Sequence, residues 1–391
     1  MLNIQQLQKY LNEKNLDGWL LADFHGRNDI AVTFLSLTGI ITRRAFYFIP
    51  AEGRPTALVN PIEREKFKHL PGELIPCKGY KKLESELKKL LGGYKRIAME
   101  YSPLGRLPYI GLVDAGTIEL IKSFGLEIVS SADLVADFQA RLSGVQAASH
   151  RRAASKLVTI KETAFKFIAE ALKRSDRITE YDVCRFIMDA FEKNELATQF
   201  GPNCSVDANA GNPHYEPTSQ FHAPVKKGQL ILIDMWAKEK APEGIYGDIT
   251  WMAFAGAKED IPERYKRLFA VLVEARDTAV AFLKEHIGRR EVYGYEVDDA
   301  CRKVIEDAGY GDYFTHRTGH SITTSEHGSG PNIDNLETED RRRLAPGHLF
   351  SIEPGIYYED CGFRTEINVL ITETGPEVTT LPLQTEITAL F

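Results

Sequence analysis

The sequence predicts a two-domain chain of class α+β. A small α/β domain spans residues 1–145, and a larger domain spans 146–391, with helices on one face of a curved sheet. Three observations predict it. The chain has 391 residues, enough for two domains with substantial cores. Strand-like and helix-like runs alternate up to residue 129, as they do in an α/β layer. Beyond His150 the helical runs are set against strands joined by turns rather than crossovers, which indicates α+β.

The elements follow in order. Leu2, Ile4, Leu7 and Leu11 stand near helical spacing in residues 2–15. Residues 19–22, 44–50 and 56–59 read as strands, with Gly53 and Arg54 turning the second into the third. A charged amphipathic helix at 81–91, a strand at 96–100, a helix at 117–123 and a strand at 126–129 complete the first domain. It holds no catalytic constellation. His25, Arg27 and Asn28 read as a solvated loop, the alternative being a loop that reaches into a site.

Residues 132–174 are largely helical, with a break near Ser143 and Gly144, so the boundary falls between Arg141 and His150. A helix at 181–194 is capped by Thr179. Residues 202–218, rich in Asn, Asp, Gly and Pro, read as irregular. Two strands bearing aspartates come next, joined through 238–244. Helices at 262–285 and 291–308 follow, the second closed by Gly309.

Composition narrows the function. The net charge of −7 argues against a nucleic-acid binder, which needs a basic surface to neutralise phosphates. The residues after Met1 show no signal-peptide pattern, and no apolar run reaches the ~18–20 residues of a bilayer span. Five scattered cysteines without a CxxC pair suggest free thiols in a reducing cytoplasm. HExxH, GxSxG, P-loop and GxGxxG motifs are absent.

Five potential metal ligands stand out. Asp234 ends the apolar run 230–233, and Asp248 lies fourteen residues later. His320 follows Gly319, Glu353 precedes Pro354-Gly355, and Glu366 opens the last long apolar strand. Four carboxylates and one imidazole suit two divalent ions: manganese first, with cobalt, iron or zinc also compatible.

In Gly319-His320, Ile352-Glu353-Pro354-Gly355, Arg364-Thr365-Glu366 and Asn212-Pro213-His214-Tyr215, the chain resembles the pita-bread metallopeptidases. These comprise methionine aminopeptidase, aminopeptidase P, prolidase and the non-peptidase relative creatinase. The resemblance covers nearly the whole chain and is to the two-domain, proline-handling branch. It implies a pita-bread fold for the second domain. It also implies that Asp234 holds one ion, that Asp248 and Glu366 bridge both, and that His320 and Glu353 hold the second. Glu353 doubles as general base. His214 and His327 form an outer shell for the substrate carbonyl and the developing oxyanion, and His327 stands seven residues after His320, as the family pattern has it. Arg364 binds a substrate carboxylate or orients Asp234, and Tyr215 lines the pocket or belongs to the core. His222, His316 and His348 are assigned no role.

The implied reaction is hydrolysis of Xaa-Pro bonds, in peptides with proline second, by a cytoplasmic homodimer. A metal-dependent lyase or a creatinase-like hydrolase is the alternative. A binding module is disfavoured, because such relatives lose ligands. Three departures fall on the substrate side. The aspartates are fourteen residues apart where relatives usually have eleven. Ser321-Ile322-Thr323-Thr324 replaces a glycine-bearing apolar tetrapeptide. Gly328 follows His327 where relatives usually carry Glu.

Overall fold

A computed structural model describes residues 3–391; Leu2, expected in the first helix, lies outside them. Contact density divides the chain into two units, 1–139 and 140–391. The division falls upstream of the expected 145/146. Ser143 caps a new helix there and, with Gln146, closes a capping box.

The first unit carries α1 (Ile4–Glu13), β1 (Gly18–Asp23), α2 (Asp29–Phe34), β2 (Ala45–Pro50), β3 (Thr56–Val59) and α3 (Arg64–Phe67). After these come β4 (Glu73–Pro76), α4 (Tyr80–Leu90), β5 (Arg96–Met99), α5 (Ala115–Ser123), β6 (Glu127–Ser130) and α6 (Ala132–Phe138). Its sheet runs β4-β3-β2-β1-β5-β6. β1 is buried along its whole length, and apolar clusters form on both faces of the sheet. Alternation explains this: Trp19 and Leu21 serve one face, Leu20 and Ala22 the other.

The expected solvated loop is corrected at Asn28. Its side chain caps α2, donates to the Ala22 carbonyl at 2.9 Å and donates to Glu100 at 2.7 Å. Glu100, also bonded by Trp19 and Ser131, is fully buried, and burial raises its pKa. His25 and Arg27 stay exposed.

The second unit carries α7 (Gly144–Arg174), α8 (Glu180–Lys193), β7 (Leu196–Ala197), β8 (Asn203–Val206), β9 (Leu230–Glu239), β10 (Gly247–Phe254), α9 (Glu263–His286) and α10 (Gly294–Asp307). It closes with β11 (Leu349–Ile352), β12 (Gly355–Tyr357), β13 (Gly362–Arg364), β14 (Ile367–Thr372), β15 (Gly375–Val378) and β16 (Thr388–Ala389). Residues 203–206, expected to be irregular, form a strand because their backbone pairs with β9 from Asn203↔Asp234 to Val206↔Ile231. One apolar cluster joins α7 and α8 to the sheet, and a second joins α9 and α10 to it. All five cysteines are free and buried. No helix among the described residues is long and apolar enough to cross a membrane.

Candidate metal centre

The β9–β10 hairpin sets the register of the site. Thr250 pairs with Asp234 and Asp248 pairs with Trp236. Residues two apart share a strand face, and directly paired residues share it across strands. Asp234, Trp236, Asp248 and Thr250 therefore point the same way. The longer interval between the aspartates is taken up in the connection 240–246, outside both strands.

The other three candidates arrive from the C-terminal half. Glu366 reaches β10 through its backbone N–H, which donates to the Thr250 carbonyl at 3.2 Å. The Glu353 N–H donates to the Thr318 carbonyl at 2.7 Å, and the His320 N–H donates to Ser351 Oγ at 2.9 Å. Gly319 permits this approach, since a Cβ there would lie 1.9 Å from the Ser351 carbonyl oxygen.

All five meet. His320 Nε2 is 3.4 Å from Glu353 Oε1 and 3.6 Å from Asp248 Oδ2. One ligand atom from each of Asp248, His320 and Glu366 falls within 4.8 Å of the others. The Thr250 hydroxyl lies 3.0 Å from Asp234 Oδ1 and 2.9 Å from Glu366 Oε2. Having one proton, it donates to one carboxylate at a time. The Ser351 hydroxyl donates to Glu353 Oε1 at 3.0 Å, and Asn368 Oδ1 accepts the Asp248 N–H at 2.8 Å.

Arg364 is buried and engaged through each of its three nitrogens. Its Nη2 donates to Asp234 Oδ2 at 2.5 Å, its Nη1 to the Tyr357 hydroxyl at 3.0 Å and its Nε to Thr250 Oγ1 at 3.0 Å. Of its two expected roles, this geometry supports orienting Asp234. The Tyr357 hydroxyl in turn donates to His316 Nε2 at 2.8 Å, leaving His316 Nδ1–H for the Arg317 carbonyl at 2.7 Å. Burial, then Arg364, pushes His316 down to about 3, so the ring is neutral as this chain of bonds requires.

The electrostatics fit a cation. Burial first, then Glu366 and Asp234, holds Asp248 well above the usual carboxylate range. Burial first, then Glu353 and Asp234, does the same to Glu366. Burial, then His327, pushes His320 down to about 3, leaving a free imidazole lone pair at neutral pH. Crowded carboxylates around a neutral histidine form a hard donor set with a charge deficit, which divalent ions relieve.

His327 lies at the edge of the site. Its ring is 4.4 Å from that of His320, at 73°, and it feels the charge of His214. His214 is exposed, on the loop after β8. The Tyr215 hydroxyl donates instead to Glu180 at 2.6 Å. Glu180 also accepts from Asn209 and from the Val206 and Ala223 N–H groups, so it anchors this loop. The structure thus ties Tyr215 to the loop's base rather than to the five candidates.

Sequence reasoning missed Thr250, Ser351, Tyr357 and Glu326. The last carried a signal, an extra acid directly before His327. Burial, then Asp234 and Glu353, pushes its pKa up to about 8.

A sequence profile of metallopeptidase family M24 matches residues 149–373. The chain is 27% identical to an Xaa-Pro dipeptidase of Lactobacillus delbrueckii subsp. lactis, over 98% of this chain and all of that one. A dipeptidase of Mycobacterium ulcerans superposes with a TM-score of 0.76 at 20% identity, covering 99% of this chain and 96% of that one. An X-Pro aminopeptidase of Thermotoga maritima superposes with a TM-score of 0.66 at 22% identity, covering both chains fully.

Proposed function

The chain belongs to metallopeptidase family M24, and from that premise we propose that it hydrolyses Xaa-Pro bonds. The observation that carries the metal-dependent part is the meeting of Asp248, His320 and Glu366 ligand atoms within 4.8 Å. The proline part is supported by the full-length match to an Xaa-Pro dipeptidase.

Asp234, Asp248, His320, Glu353 and Glu366 would hold two divalent ions, with manganese the first choice. When bound, such ions supply Lewis acidity and bring the pKa of a water toward neutrality. The chain's own groups do the rest. Glu353, steadied by Ser351, takes the proton of the attacking water. An N–H of His327 donates to the scissile carbonyl oxygen and strengthens that bond as negative charge develops there. His214 holds the distal end of the substrate. Arg364 fixes Asp234. Proline's nitrogen is tertiary and offers no N–H, so a site that grips the carbonyl has no need of one.

The test is an assay of the protein loaded in turn with manganese, cobalt, iron and zinc, on Xaa-Pro dipeptides and Xaa-Pro-Xaa tripeptides. Cleavage at the bond before proline supports the reading, and the two substrate lengths separate dipeptidase from aminopeptidase. If no Xaa-Pro peptide of two to five residues is cleaved with any metal, the peptidase reading falls.

We further expect a homodimer, because the first unit carries no chemistry of its own and the family resemblance gives it a part across a two-fold interface. Light scattering should return twice 44.0 kDa. A mass of 44.0 kDa at micromolar concentration contradicts it.

A further inference from the structure

The segment 321–328 forms a wall beside the metal centre, and it is held firmly. The Tyr246 N–H donates to the Thr323 carbonyl at 3.1 Å, and the Lys238 ammonium to the Thr324 carbonyl at 2.5 Å. The Gly328 N–H closes the loop on the Ser321 carbonyl at 2.6 Å. Between these anchors stands Glu326, its side chain only 20% exposed. Its Oε1 lies 3.6 Å from Nε2 of His327, whose ring is 4.4 Å from that of His320. It therefore stands beside the candidate metal centre.

Among the described residues its one recorded ion-pair partner is its neighbour His327, whose side chain is 64% exposed, and an exposed pair contributes little. Lys238 shares the β9 face of Asp234, but its ammonium is engaged on the Thr324 carbonyl. Arg364 is engaged on Asp234, Tyr357 and Thr250. Enclosing a carboxylate with so little counter-charge costs free energy and favours its protonated form. A ligand bringing a positive charge to this place relieves that cost.

We propose that Glu326 is a specificity residue that selects substrates with a lysine or arginine side chain on the residue before the scissile bond. This rests on the peptidase reading above. Depth favours a side chain over the substrate's α-ammonium. Asp248 and Glu366, at the floor of the site, are each 3% exposed, while the Glu326 side chain is 20% exposed and adjoins the exposed His327. The α-ammonium lies one carbon from the scissile carbonyl and stays near the floor. A lysine or arginine side chain extends several bonds further, to Glu326.

The test compares manganese-loaded wild type with Glu326→Gln on Lys-Pro, Arg-Pro and norleucine-Pro, norleucine being the neutral match for lysine. A charge-assisted hydrogen bond of this kind gives wild type about a tenfold kcat/KM advantage on the basic substrates. In Glu326→Gln that ratio falls to about one. An equal ratio in both proteins overturns the proposal. So does an equal loss on all three substrates, which points to the α-ammonium. Loss of bound metal in the variant also overturns it, making Glu326 a ligand. Calorimetry separates this proposal from the reaction itself. Lysine amide should bind metal-loaded wild type more tightly than norleucine amide, and Glu326→Gln should show no such preference. If wild type cleaves no Xaa-Pro peptide, the peptidase reading fails and calorimetry alone decides on Glu326: a wild type without preference for lysine amide overturns it.

Discussion

Glu366→Ala and Asp234→Ala should each abolish turnover and release bound metal, as read by elemental analysis after dialysis. Glu366 sits within 4.8 Å of the Asp248 and His320 ligand atoms, and no neighbouring side chain can take its place. Its two oxygens serve different partners, since Oε2 already lies 2.9 Å from the Thr250 hydroxyl. Asp234 is held by Arg364; its removal also leaves a buried guanidinium short of its counter-charge, which is costly. Retention of two ions by both variants, with normal turnover, would sink the dinuclear assignment.

The same carboxylates give the metal-free protein a pH dependence. Asp248 and Glu366 have folded-state pKa values raised above their unfolded ones. A raised carboxylate favours the folded state fully below its unfolded pKa, and this contribution is lost as pH rises through the folded pKa. The metal-free protein should therefore weaken as pH rises above the usual carboxylate range. Bound cations cancel the repulsion, and fewer protons compete for the ligands at higher pH. The rise in Tm on adding manganese should thus be larger at pH 8 than at pH 6. Thermal melts with manganese and with chelator check this, and a rise that shrinks with pH contradicts it.

Much of the site was legible because each ligand candidate stands beside a strong local signal. Asp234 ends an all-apolar run, and Glu353 precedes Pro354-Gly355. Register was not legible. Only the pairing of Asp248 with Trp236 shows that fourteen residues of separation still bring the two aspartates onto one face. The supporting hydroxyls of Thr250 and Ser351 were hidden for the same reason, since their partners are 116 and 2 residues away in sequence and only the fold orients them. In the first unit, β4 escaped notice because its burial is partial at the centre and open at both ends, as at a sheet edge, so it shows no alternation. α2 was missed although Asn28 carries an N-cap signal; its single turn and a half leaves too short a period to read. Glu326 was overlooked because one charge in a hydroxyl-rich loop looks solvated until the walls around it are seen.

His327→Ala should lose about 10²–10³ in kcat, roughly 2.7–4 kcal/mol, the usual cost of one oxyanion donor. Two observations favour that proposed role over a place in the metal set. Its ring packs edge-on to His320 at 4.4 Å, so it borders the candidate metal centre. Yet 64% of its side chain remains exposed, whereas His320 is buried at 4%. Burial first, then Arg317 and His214, lowers the pKa of His327. At neutral pH the ring is uncharged and offers one N–H, which suits donation to an oxygen gaining charge. Because the bond strengthens in the transition state, the loss should fall on kcat more than on KM. Bound metal separates the two histidines. His327→Ala should keep its ions, while His320→Ala, which removes the one imidazole facing both Asp248 and Glu353, should lose one. If His327→Ala loses an ion as His320→Ala does, it is a ligand; if it turns over at the wild-type rate, the oxyanion is held elsewhere.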